Sequence, residues 1–309
     1  MGALVSNDFD PFADLPDLKG KVVVVAPGID SVGIEIVKCL VRRGAKVYVG
    51  APSKLKARRA LSPLRTDPVR RGEVVEIIAD FGDPQKVKEA AERLLTMESR
   101  LDILVNNANM SSNDPGPNPI VHHLSRFVFT RTLLPRLART AVERGSDVRI
   151  VNISSDSCHR GWYPSLNDMN QYFKKSWELQ AARPGQLKLS NILWTRKLQR
   201  RLTADLSPVL VMALHLGNVH DDMLRTLWAQ CTFSWLKTYL LAYLRPRVVI
   251  RNVLFAIASP VVRTHPNTYS GAYLVPIGEV AQLSEKARNP QLASELWDLT
   301  ENILKVVDL

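Results

Sequence analysis

Short apolar runs alternate with amphipathic stretches along most of the chain. The runs "KVVVVAP" (21–27) and "LDILVNNA" (101–108) are rich in apolar, β-branched residues, which predicts strands buried on both faces. Between such runs, "GIEIVKCLVRRG" (33–44) and "PQKVKEAAERLLTMES" (84–99) space their apolar residues by three and four positions, which predicts amphipathic helices. This repeated order predicts an α/β fold: a Rossmann-type, doubly wound parallel sheet with helices on both faces.

The second half of the chain continues the same order. The segments "VRIVNISS" (148–155) and "VLVMALHLG" (209–217) predict two more strands, and "GAYLVPIG" (271–278) predicts the last one. From Lys188 onward the pattern predicts an amphipathic helix, with Pro184 at its entrance. Its apolar face consists of Leu189, Ile192, Leu193, Leu198 and Leu202.

The pattern predicts one domain over residues 18–309, preceded by an N-terminal extension over residues 1–17. An apolar, aromatic-rich insertion over residues 223–247 interrupts the alternation of strands and helices. Three interpretations of this insertion stay open: helices packed on the core, a lid over a hydrophobic ligand, or a patch that rests on a membrane.

Composition favours an intracellular protein. The 309 residues contain no uninterrupted apolar run of transmembrane length, and the acidic N-terminus lacks the apolar segment of a signal peptide. The three cysteines, Cys39, Cys158 and Cys231, are too far apart to indicate a disulfide framework or a metal cluster. We therefore expect a cytoplasmic protein without a bound metal. The start "MGALVS" matches the myristoylation pattern at Gly2, which leaves membrane association open.

The net charge of +11 is concentrated in the segment "KLKARRALSPLRTDPVRRG" (54–72). Such a run is typical of a solvated helix and loop, and less often of a nucleic-acid surface. We expect no nucleic-acid partner. A site for a single phosphate group is the third interpretation.

Several of these segments resemble the short-chain dehydrogenase/reductase family, in particular its retinol-dehydrogenase-like and fungal biosynthetic members. The similar stretches include "DLPDLKGKVVVV", "LDILVNNA", "RIVNISS", "GQLKLSNILWTRKLQRRL" and "GAYLVPIG", which together span residues from about 15 to 300. The resemblance implies a single Rossmann-type domain, an NAD(P) cofactor, a small hydrophobic substrate and a homo-oligomer.

The family's phosphate-binding turn, T-G-x-x-x-G-x-G, corresponds here to "APGIDSVG" (26–33). Gly33 stays in register, and Gly28 is displaced by one position. Pro27 has no N–H to offer a phosphate and cannot adopt a positive φ, and Ser31 adds a side chain where backbone should approach the cofactor. Asp30 adds a negative charge, although it is also a good N-cap. The turn therefore argues against dinucleotide binding.

Other features of cofactor binding are retained. By resemblance, Asp80 would contact the adenine, Asn107 belongs to the motif at the end of the fourth strand, and Lys188 would bind the nicotinamide ribose. Basic residues follow the second strand where an acidic residue would select NAD. If a dinucleotide binds, these features favour NADP; otherwise the protein uses no cofactor.

The family's catalytic residues are only partly present. Ser155 matches the serine that holds the substrate oxygen, Lys188 matches the lysine, and His122 aligns with the asparagine of a proton relay. The proton-donating tyrosine is replaced by Pro184, which has no ionisable group. A substitute is open among Tyr163 and Tyr172, between Ser155 and Lys188, and among His122, His159 and Asp156 as acids or bases. The plainer interpretation of each histidine is an ordinary surface or packing residue.

Three functions remain open. The first is a biosynthetic enzyme that acts without redox chemistry, by cyclisation, isomerisation or elimination of a hydrophobic substrate. The second is an NADP(H)-dependent oxidoreductase with an atypical proton donor, and the third is a non-catalytic binding or regulatory protein. The first is favoured, because the phosphate turn and the proton donor are altered independently of each other.

Overall fold

The computed structural model describes residues 9–107, 119–154, 184–216 and 250–309. Its strands are β1 Val22–Ala26, β2 Lys46–Ala51, β3 Glu73–Ile78, β4 Ile103–Asn106, β5 Arg149–Ser154, β6 Leu210–His215, β7 Tyr273–Val275 and β8 Glu279–Val280. They form one sheet in the order β3-β2-β1-β4-β5-β6-β7-β8, parallel except for the last pair. The predicted doubly wound α/β sheet is confirmed.

Helices connect these strands. Those described are α1 Pro11–Asp14, α2 Ser31–Arg42, α3 Lys54–Arg65, α4 Pro84–Met97, α5 Pro119–Ala141, α6 Pro184–Ala204, α7 250–258, α8 Pro260–Thr264, α9 Pro266–Tyr269, α10 Glu285–Arg288 and α11 Pro290–Val306. Helix α2 ends before Gly44, whose φ of +93° lies in the left-handed region that favours glycine.

The sheet separates two apolar cores, one on each face. Along β1, Val23 and Val25 pack into one core, while Val22 and Val24 pack into the other. This alternation explains why the strand reads as an uninterrupted apolar run: a strand covered by helices on both faces has no solvent side. The five apolar residues predicted along one face of α6 are all buried.

Two parts of the fold differ from the simplest interpretation of the pattern. After β7 the chain turns at Gly278 and adds the short antiparallel strand β8, which the sequence does not predict. The described end of the N-terminal extension packs on the domain. The ring centroids of Phe9 and Phe255 lie 5.4 Å apart in an edge-on arrangement, and Arg251 Nε donates to the Phe9 carbonyl at 3.1 Å.

The structure also bears on the cysteines, on membrane-spanning segments and on metal ligands. Cys39 is a buried thiol in the described core. Among the described helices, none is long and apolar enough to cross a bilayer, and the described side chains form no group that could hold a metal ion. Gly2, Cys158, Cys231 and the insertion 223–247 lie outside the described residues.

Candidate functional site

The sheet order creates a crevice at the carboxyl ends of the central strands. Strand β1 pairs with β2 on one side and with β4 on the other, so the connections that leave β1 and β4 diverge. In doubly wound sheets ligands bind at this switch point. Gly28 lies at this edge two residues after β1, and Asn107 lies there directly after β4. Asp80 follows β3 at the same edge.

Both retained glycines are required by close packing. A Cβ on Gly28 would lie 2.7 Å from the Val25 carbonyl oxygen, and one on Gly33 would lie 2.6 Å from the Gly28 carbonyl oxygen. The Gly28 amide donates to the Gly50 carbonyl at 2.9 Å, which attaches the turn to β2. Gly33 thus lets α2 approach the turn closely, as in a dinucleotide-binding fold.

Asp30 determines the chemistry of this turn. It is the N-cap of α2, and its Oδ1 accepts a hydrogen bond from the Gly33 amide at 2.6 Å. Its Oδ2 accepts from Asn107 Nδ2 at 2.9 Å, and the same amide group donates to the Pro27 carbonyl at 3.0 Å. The carboxylate is therefore held against the amino end of the helix, where the dipole favours negative charge.

The amino end of this helix is also where related folds hold phosphate. Here a side chain of the same protein supplies the anion, and Asn107 fixes its orientation from the neighbouring strand. Asn107 Oδ1 is buried and has no hydrogen-bond partner among the described residues. The predicted cofactor residues Gly28, Gly33 and Asn107 are thus brought together around the Asp30 carboxylate.

The outer part of the crevice is polar and basic. Asp80 is exposed, and its carboxylate accepts from the Gly82 amide at 2.9 Å. Helix α3 follows β2 and exposes Lys54, Lys56 and Arg58, while Arg65 forms an ion pair with Glu76. Part of the basic segment is therefore an exposed helix, and its N-terminus begins beside the crevice.

A buried chain of side-chain hydrogen bonds lies beneath the crevice. Asn106 Nδ2 donates to Thr130 Oγ1 at 2.9 Å and to Asn152 Oδ1 at 2.8 Å. Asn152 Nδ2 in turn donates to Thr195 Oγ1 at 2.7 Å. Because these residues belong to β4, β5, α5 and α6, the chain fixes the two helices that carry His122 and Lys188 relative to the sheet.

Helix α6 begins at Pro184, so the proline occupies the first helical position, where its missing N–H costs nothing. Lys188 follows four residues later, which places both positions on one helical face. Side chains of α6 are described from Leu189 onward. His122 lies partly buried in α5, and Ser155, Asp156, His159, Tyr163 and Tyr172 lie outside the described residues.

Two buried, polar residues of α5 were not predicted from the sequence. Arg126 Nη1 donates to Asn191 Oδ1 at 3.1 Å, and His123 Nε2 lies 3.1 Å from Thr300 Oγ1. Burial lowers the pKa of Arg126 to about 10. Burial, with the nearby Arg126 charge as a smaller cause, lowers the pKa of His123 to about 3. The four-residue spacing from His122 to Arg126 was the available signal, since it puts both on one face.

His123 should make the fold sensitive to acid. Its pKa is lowered from 6.5, so the stability it contributes is complete above about pH 6.5 and decreases as the pH falls toward 3. We expect His123→Gln to remove a decrease of about 1.4 kcal/mol per pH unit in the free energy of unfolding. Urea denaturation at about pH 6 and pH 5 measures this slope, with His265→Gln as the matched control. An unchanged slope in His123→Gln would contradict the assignment.

Comparison with known proteins identifies the family. A family model described as short chain dehydrogenase matches residues 21–165. A short-chain dehydrogenase/reductase from Armillaria gallica is 38% identical over 308 residues, covering 95% of this chain and 96% of that protein. Retinol dehydrogenase 12 from Mus musculus is 32% identical over 223 residues, covering 69% and 66%.

Among solved structures, the crystal structure of an uncharacterised protein from Mycobacterium paratuberculosis has a TM-score of 0.68 and 26% identity, covering 95% of this chain and 96% of that one. The chain belongs to the short-chain dehydrogenase/reductase family. Members of this family are generally enzymes and typically bind NAD or NADP.

Proposed function

We propose that this protein is an enzyme of small-molecule biosynthesis that acts on a hydrophobic substrate without hydride transfer. The observation that carries the proposal is the Asp30 carboxylate, held by the Gly33 amide and Asn107 at the amino end of α2. In our proposal it takes the place at the amino end of the helix where the pyrophosphate of a dinucleotide would lie. The Asp30 carboxylate and a pyrophosphate at the same helix end are both negatively charged and would repel each other. The residues of this turn therefore do not fit the cofactor.

Moving the carboxylate away would also be costly. Asp30 would have to give up two hydrogen bonds in which the acceptor is charged, each worth about 1.5–3 kcal/mol. A loss of at least about 3 kcal/mol corresponds to binding more than about 100-fold weaker. The repulsion between Asp30 and any phosphate that remains nearby would add to this cost.

The proton donor supports the same conclusion. In our proposal Pro184 takes the position of the family's tyrosine, because it lies one helical turn before Lys188, and it has no proton to transfer. Losing the phosphate site and the donor together is best explained if hydride transfer is no longer the reaction.

Cyclisation, isomerisation and elimination need a shaped pocket and one or two groups that move protons. In our proposal Ser155 holds a substrate oxygen, the Lys188 ammonium stabilises developing negative charge, and His122 or His159 moves the proton. Holding the substrate in the right geometry beside a catalytic group can supply about 7–11 kcal/mol of the barrier. The mouse relative's name, retinol dehydrogenase 12, supports a hydrophobic substrate.

The second candidate is an NADP(H)-dependent oxidoreductase with an atypical proton donor. It is favoured by the exposed Lys54, Lys56 and Arg58 beside the crevice, which could accept the 2′-phosphate, and by the position of Asp80 after β3.

Titration of the purified full chain with NADPH and NADP⁺ by calorimetry distinguishes the two. We expect no saturable heat at millimolar cofactor, with ADP as a control for binding at the exposed basic residues. Micromolar binding of NADPH would overturn the proposal and support the oxidoreductase.

A further inference from the structure

Arg126 is a buried cation without a counter-ion in the described structure. Arg126 is 8% exposed, and its Nη1 donates a hydrogen bond to one neutral acceptor, Asn191 Oδ1, at 3.1 Å. Within the described residues no carboxylate pairs with it. A guanidinium has five N–H donors, so the described residues use only part of its hydrogen-bonding capacity.

Arg149 shows how the same protein balances a buried guanidinium for structural purposes. It is 1% exposed, its Nε donates to Asp147 Oδ1 at 2.9 Å, and a second bond reaches the other oxygen of that carboxylate. Two carbonyl oxygens, of Ala256 at 2.9 Å and Ser259 at 2.8 Å, complete its partners. Burial without such partners costs several kcal/mol, so Arg126 needs another explanation.

The location of Arg126 relates it to the crevice. Its partner Asn191 lies three residues after Lys188 on α6, and Asn191 Nδ2 reaches the Ile153 carbonyl oxygen at 3.5 Å. Ile153 is near the carboxyl end of β5, two residues before Ser155. The guanidinium therefore lies below the edge of the sheet at which the substrate is expected, and with a pKa of about 10 it stays protonated at neutral pH.

We propose that Arg126 recognises an anionic group of the substrate, and that this group is a carboxylate. The planar guanidinium offers two parallel N–H groups that match the two oxygens of a carboxylate. The substrate class is then an amphiphilic organic acid, with an apolar body and one carboxylate. This inference rests on the proposed function, since it names the substrate of that site, but it does not depend on whether NADPH binds.

The test compares octanoate with octanamide, which has the same chain length and no charge. Calorimetry with the full chain should show octanoate binding at least tenfold tighter than octanamide. Arg126→Gln should abolish this preference, and Arg126→Lys should retain part of it. Arg131→Gln is the matched control and should leave the preference unchanged, because Arg131 lies on the same helix but pairs with the carboxylate of Glu301. Equal binding of the two probes to wild type would overturn the proposal.

A stability measurement separates recognition from a structural role. If Arg126 serves the substrate, Arg126→Met removes an unbalanced buried charge and should raise Tm by a few degrees while it abolishes octanoate binding. If Arg126 serves the fold, the same substitution lowers Tm, and that result contradicts the proposal. Titration of the same variants with NADPH tests the proposed reaction class separately, so a failure of that proposal is distinguishable from a failure of carboxylate recognition by Arg126.

Discussion

Replacing Pro27, Asp30 and Ser31 together by glycine, serine and glycine is expected to create NADPH binding in the micromolar range. Glycine at position 27 supplies an N–H and backbone freedom, and glycine at position 31 lets backbone approach the phosphates. Serine at position 30 keeps an N-cap for α2 but removes the charge that Asn107 and the Gly33 amide hold in place. The free amides of α2 then become available to a phosphate.

Calorimetric titration with NADPH measures the gain, which we expect to exceed 100-fold relative to wild type. Asp30→Asn is the informative intermediate, because it removes the charge and keeps the shape of the side chain. It should recover part of the gain. If the triple variant binds NADPH no better than wild type, the carboxylate is not what prevents binding, and the argument from Asp30 is wrong.

The part of this fold that could be predicted depends on local pattern. The valines of β1 are buried by helices on both faces, so an uninterrupted apolar run was sufficient to identify the strand. Gly44 after α2 was predictable for an equally local reason, since a left-handed backbone favours glycine. Strand β8 was not, because two residues are too few to carry a pattern.

The informative features of the site depend on contacts between distant residues. Asp30 was recognisable as an N-cap, but its second hydrogen bond comes from Asn107, 77 positions away. The burial of Arg126 and His123 could not be predicted from the sequence pattern either. His123 meets Thr300 of α11, and Arg126 meets Asn191 of α6, so the surroundings of both depend on helices far along the chain. A sequence pattern shows the spacing along one helix, and it does not show which face another helix covers.

Pro184→Tyr, introduced into the variant with the rebuilt phosphate turn, is expected to produce NADPH-dependent reduction of a hydrophobic aldehyde such as decanal. The new hydroxyl would stand one helical turn before Lys188 on α6, and a positioned general acid contributes about 10²–10⁴-fold to rate. The first helical position accepts either residue at little cost.

Loss of NADPH absorbance in the presence of decanal measures this activity, and Pro184→Phe in the same background is the matched control, because it adds the ring without the hydroxyl. The tyrosine variant should exceed the phenylalanine variant by at least about 100-fold. Equal rates would mean that the hydroxyl does not reach the substrate, so that the site has diverged beyond these two positions. A gain seen only with both changes would show that phosphate binding and proton donation were lost as two separate functions.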